Sequence, residues 1–161
     1  MEIKTTRFGS IEIELDKVIH FPQGLLGFPK QTKYVLFPHK KGSKFFWLQS
    51  IEQPDLAFVC INPFIANPQY EFDIPDRIEK ELDIKNPSDV EILALVTFPK
   101  DVSVPQITVN LLGPIVVNVQ NRHAKQLVLD PKKYPVNYPI LLTHTAQLDD
   151  SKDTTSASIM S

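Results

Sequence analysis

A chain of 161 residues sets 17 Lys and Arg against 19 Asp and Glu, for a formal net charge of −2, with 42% hydrophobic and 22% charged residues. That length suits one domain able to bury about two-thirds of its unfolded surface, and the slightly acidic balance offers no global attraction to nucleic acid or anionic membrane. A lone cysteine, Cys60, excludes an internal disulfide and any cysteine-rich metal site. No apolar run approaches the ~18 residues of a membrane span. Met1-Glu2-Ile3-Lys4-Thr5-Thr6-Arg7 lacks the apolar core of a signal peptide, so the cytoplasm is the expected address. Fourteen prolines against five glycines are scattered through the chain, which marks them as punctuation of a fold rather than a linker.

Ile11-Glu12-Ile13-Glu14-Leu15 alternates strictly and predicts a strand with one buried face. Phe8-Gly9-Ser10 reads as a turn from a short first strand around Ile3. Next, Ile19-His20-Phe21-Pro22-Gln23-Gly24-Leu25-Leu26-Gly27-Phe28 sets bulky apolar residues around two glycines and a proline. Gly24 and Gly27 open backbone angles closed to other residues, Pro22 fixes its own φ, and Pro29 keeps Phe28 from helical angles. This corner should plant Phe21, Leu25 and Phe28 in a core or on a partner. Tyr34-Val35-Leu36-Phe37 and Phe45-Phe46-Trp47-Leu48-Gln49 flank a polar turn and predict a hairpin. Ala57-Phe58-Val59-Cys60-Ile61 predicts a further strand, stopped by Asn62-Pro63.

Ile74, Ile78 and Leu82 recur every fourth residue and predict one helix over about 74–82, with Asp73 as cap and Pro75 in the first turn. Ser88-Asp89-Val90-Glu91 has the form of a capping box. The strand formers Ile92 to Phe98, halted by Pro99, argue for a strand there instead. Gln106 to Leu111 and Ile115 to Val119 predict strands joined by a turn at Leu112-Gly113-Pro114, and Gln126 to Leu129 a last short strand. Brief strands without a βαβ rhythm predict a mainly β fold: a small antiparallel barrel or sandwich-like domain with one short helix. A single domain is expected over residues 1–142, with a disordered tail over 143–161.

Chemistry-bearing constellations are absent from the pattern. His20, His39, His123 and His144 are dispersed without metal-ligand spacing, and Cys60 sits in an apolar strand. No phosphate loop, nucleophile elbow or His-Glu-x-x-His occurs. No catalytic, cofactor-binding or metal-binding residue and no small-molecule substrate is expected, and the chain does not read as an enzyme. Lys40, Lys41 and Lys44 beside Phe45, Phe46 and Trp47 carry the alternative, a barrel binding single-stranded nucleic acid by phosphate attraction and base stacking.

The corner, read as Ile-x-Phe-Pro-x-Gly-Leu-x-Gly-Phe, resembles the N-terminal signature of the flagellar assembly factor FliW family. Phe45 to Ser50, Pro54-Asp55-Leu56-Ala57-Phe58 with Asn62-Pro63, and Asn110-Leu111-Leu112-Gly113-Pro114-Ile115-Val116-Val117-Asn118 resemble later family stretches in the same order. Ala124 to Leu129 adds a weaker one. The resemblance implies a cytoplasmic factor that binds flagellin and the translational regulator CsrA, relieving repression of flagellin translation by partner exchange. No direct binding of nucleic acid or membrane is expected from the charge balance. Phe21, Pro22, Gly24, Leu25, Gly27, Phe28, Trp47 and Gly113 are expected to build the fold. Candidates for partner contact are Phe64, Ile65 and Tyr70 in the proline-rich loop, with Asp73, Asp76 and Glu79 facing a basic partner.

Overall fold

The structure, a computed structural model, describes residues 1–98 and 106–140. Its strands are β1 (Glu2–Thr5), β2 (Gly9–Glu12), β3 (Ile19–His20), β4 (Lys33–Pro38), β5 (Phe45–Ser50), β6 (Ala57–Ile61), β7 (Val90–Thr97), β8 (Ile107–Val109), β9 (Ile115–Asn118), β10 (Ala124–Gln126) and β11 (Tyr138–Ile140). Two short helices, α1 (Pro63–Ala66) and α2 (Asp76–Glu81), lie between β6 and β7. The tail expected from residue 143 lies outside the described residues.

Every ladder is antiparallel. The main sheet runs β10-β9-β7-β6-β5-β4-β3, with β8 and β11 branching from β7. Residues from both ends of that order, Ile19, Tyr34, Leu48, Cys60, Leu93, Ile115 and Ala124, share one buried cluster, so the sheet curls on itself. Each such large apolar side chain contributes about 1.5–3 kcal/mol by leaving water. The two edges touch at one parallel bridge, His20 to His123, where the His20 amide donates to the Arg122 carbonyl at 2.8 Å. One bridge is not a ladder, and the sheet is not a closed barrel.

The hairpin forms as expected, with Tyr34 opposite Ser50 and Phe37 opposite Trp47. The predicted strand at Ile11 to Leu15 is displaced to β2. Its last ladder bond runs from the Ile13 amide to the Met1 carbonyl at 2.7 Å, after which Leu15–Lys17 forms a 3-10 turn with Leu15 69% exposed. The expected turn at residues 112–114 is not a reversal. β8 and β9 both pair with the same edge of β7, through Val109 to Val96 and Ile115 to Leu93, so residues 110–114 bulge out of one interrupted strand. Asn110 holds the bulge by accepting the Leu112 and Gly113 amides at 3.0 and 2.9 Å.

Helix α2 is shorter than expected. Pro75 sits at its N-cap position and Asp73 does not cap it, while Ile78 and Leu82 are buried against Val116 and Leu127. A second helix, α1, was not expected. Asn62-Pro63 ends β6 as expected and also starts the helix: Asn62 accepts the Phe64 amide at 2.9 Å and Pro63 occupies the first turn. The box-like Ser88-Asp89-Val90-Glu91 forms no helix. The Asp89 carboxylate instead accepts the Asn86 amide at 3.0 Å across a 3-10 turn, and β7 begins at Val90.

Candidate functional site

The segment between β6 and β7 carries the sequence-predicted contact residues, and the structure sorts them. α1 projects Phe64, 38% exposed, toward a groove of about 670 Å³ whose walls include Phe72, Ile74, Asp73, Glu79 and Ile84. Phe64, Asp73 and Glu79 therefore meet on one surface, an apolar wall beside two carboxylates. Asp76 is exposed on α2 but does not line this groove, and Ile65 packs half-buried against the core.

Tyr70 is corrected from contact residue to support. It is 5% exposed, and its hydroxyl donates to the Leu111 carbonyl at 2.8 Å. Its ring lies 5.7 Å from Phe64, 5.3 Å from Phe72 and 5.8 Å, edge-on, from Tyr134. Burial, with Tyr134 nearby, pushes the phenol's pKa well up, so it stays a neutral donor. Sequence inspection placed Tyr70 outside because the loop around it is proline-rich. Its partner Leu111 arrives from the bulge between β8 and β9, which no local pattern announces.

The glycine corner forms beside α2. Phe21 and Leu25 are buried, whereas Phe28 is half on the surface with its ring 5.3 Å from Phe58. Gly24 has φ +67°, and a Cβ there would lie 2.4 Å from the Phe28 carbonyl oxygen. Gln126 of β10 locks the corner in place. Its Oε1 accepts the Leu26 amide at 2.9 Å and its Nε2 donates to the Gly113 carbonyl at 3.0 Å. One buried side chain thus joins the corner to the bulge between β8 and β9, and a Cβ at Gly113 would crowd that same Nε2 at 3.0 Å.

The basic turn is arranged differently from a stacking platform. Phe45 is buried and Trp47 half-buried; the Arg7 guanidinium sits 4.7 Å from the indole centre and Phe8 packs edge-on at 5.2 Å. The indole N–H donates to His39 Nδ1 at 3.2 Å. Cys60 is fully buried, and burial pushes its thiol up to about 12. Among the described residues no three His, Cys, Asp or Glu side chains gather as a metal set, and no helix is long and apolar enough to cross a membrane.

These features define a class: small antiparallel β domains whose surface carries grooves. The sequence matches the FliW protein family over residues 2–140. It is 42% identical over 141 residues to the flagellar assembly factor FliW of Magnetococcus marinus, covering 88% of this chain and 85% of that one. It is 40% identical over 136 residues to that of Caldicellulosiruptor bescii, covering 84% and 88%. A crystal structure of the flagellar assembly factor FliW superposes with a TM-score of 0.79 at 33% identity, covering 88% of this chain and 97% of that one. The chain belongs to the FliW family of flagellar assembly factors.

Proposed function

We propose that the chain is a cytoplasmic, non-enzymatic assembly factor that binds flagellin and a CsrA-type translational regulator in turn. Flagellin bound to the domain would leave the regulator free to repress flagellin translation; once flagellin is exported, the domain would sequester the regulator. The folded unit for this role is residues 1–142. The observation that carries the reading is the groove joining exposed Phe64 to Asp73 and Glu79, an apolar anchor beside carboxylates suited to a basic, RNA-binding partner.

The test is titration calorimetry of the regulator into the chain, alone and presaturated with flagellin. The expected result is a clear loss of regulator affinity in the saturated sample. Unchanged affinity overturns partner exchange. Charge reversal at Asp73, Asp76 and Glu79 should weaken the regulator by an amount that shrinks with salt, whereas Phe64→Ala should cost affinity at any salt.

A further inference from the structure

The glycine corner does more than turn the chain: it stops β3 from accompanying β10. The two run side by side only at the His20 to His123 bridge, after which the chain swings away through Phe21 to Gly24. Asn118 donates to the His123 carbonyl, Leu127 to the Pro114 carbonyl and Leu129 to the Leu112 carbonyl, at 2.9, 2.8 and 2.8 Å. Residues 123, 127 and 129 therefore turn their main chain toward β9 and the bulge. Alternation turns the amides and carbonyls of Gln126 and Val128 the opposite way, into the space the corner vacates. The Val128 main chain takes part in no hydrogen bond among the described residues. Leu26 of the corner bonds to the Gln126 side chain and not to its backbone.

That space is a groove of about 440 Å³ lined by Leu26 and Pro29 of the corner and by Gln126 and Val128, with Ile78 and the charged Asp73 and Arg77 from the α2 segment also lining it. Leu26 is 54% and Val128 66% exposed, a large apolar outlay for surface positions. Lys125 at one end is already engaged by Glu81 at 3.0 Å and by Gln23, so its charge is answered from within the chain.

We propose that this slot receives an extended, apolar segment of a partner protein, which adds to the Gln126–Val128 edge as a short strand. Unpaired main-chain donors and acceptors select an extended chain, because a helix satisfies its own backbone and gains nothing from them. The exposed Leu26 and Val128 side chains select large aliphatic side chains at alternate positions, the period at which a strand presents one face. Gly24 keeps the slot open, since its tight approach to Phe28 and Pro29 holds the corner in its turned-away path.

The full chain is immobilised and panned against a random-peptide phage library, which contains neither flagellin nor the regulator, so the outcome is independent of the reading above. Enriched peptides should carry apolar residues at alternate positions. Their affinity should fall at least about tenfold in Val128→Pro, which deletes an amide that no internal bond uses, and in Val128→Asp, and should hold in Lys132→Ala. In the unmodified chain, peptide binding should slow amide hydrogen exchange at Gln126 and Val128, a readout that survives even if a variant misfolds. No enrichment, peptides that bind Val128→Pro unchanged, or exchange at those amides unaffected by peptide overturns the proposal. Concentration-dependent dimerisation lost in Val128→Asp would give the slot to a second copy of this chain, which also overturns it.

Discussion

Asn118 of β9 donates from its side chain to the Leu82 carbonyl at 2.8 Å and to the Asp83 carbonyl at 3.2 Å, closing the C-terminal end of α2 from across the sheet. A six-residue helix leaves its last carbonyls without internal partners, and here a buried amide supplies them. Asn118→Ala is expected to cost about 0.5–1.5 kcal/mol for each of the two bonds it deletes, the Leu82 carbonyl keeping the Asn121 side chain as a donor at 3.1 Å. Thermal unfolding should show a drop of several degrees, and Asn118→Asp, which loses the donor but keeps the volume, should fall similarly. An unchanged Tm for both would show that α2 does not depend on this cap.

The two corner glycines should behave unequally. Both have positive φ, +67° at Gly24 and +86° at Gly27, yet a Cβ at Gly24 meets backbone at 2.4 Å whereas one at Gly27 meets nothing within 4 Å. Gly27→Ala carries only the conformational penalty, about 1 kcal/mol. Gly24→Ala must also displace the Phe28–Pro29 backbone and should lose considerably more. Chemical denaturation of both variants checks the order.

Tyr34 is fully buried, and its hydroxyl has no hydrogen-bond partner among the described residues. Burial, helped by Glu52, pushes its pKa up to about 12. Removing an unpaired buried hydroxyl relieves a desolvation cost, so Tyr34→Phe should leave Tm unchanged or raise it. A loss of more than about 1 kcal/mol would mean that the hydroxyl is satisfied in solution.

Acid should loosen the seam between β3 and the start of β10. His20 is pressed below its ordinary pKa of 6.5 by burial first, then by the neighbouring His123 and Lys33. Its ring lies 5.8 Å from that of His123. A histidine whose folded pKa is depressed takes up its proton more readily in the unfolded chain. Stability is therefore intact above pH 6.5, and falls as pH drops from there through the folded pKa. Melting curves between neutral pH and pH 5 should show this decline, and His20→Gln should flatten part of it.

Single-stranded RNA should not bind at physiological salt, since Arg7 and Phe8 already occupy the Trp47 ring. Fluorescence anisotropy with a labelled oligonucleotide checks this. Micromolar binding that is lost when Lys40, Lys41 and Lys44 are replaced by alanine would revive the nucleic-acid reading.

What was legible in the chain followed from local pattern. The hairpin, β6 and the corner could be read because alternation, prolines and glycines act within a few residues. β11 was hidden because Pro139 lies inside it, and proline is tolerated there because, among the described residues, the strand pairs on one side only. The bulge between β8 and β9 was illegible for a different reason: its register depends on which residues of β7 face Val109 and Ile115, a non-local choice. The site divided along the same line. Composition singles out Phe64, Asp73 and Glu79, which line one groove, while Gln126 and Val128 gain meaning only from the direction in which β10 turns its backbone.

The sulfur at the centre of the sheet has a practical use. Cys60 stands on β6 between Phe46 of β5 and Leu95 of β7, sealed from solvent and held as the unreactive thiol. An alkylating reagent reaches it only when those strands part. The rate at which the native chain is alkylated is therefore a clock for sheet opening, readable by mass without any introduced label. Slowing of that clock by flagellin, by the regulator or by a strand-forming peptide would report how firmly each one holds the domain shut.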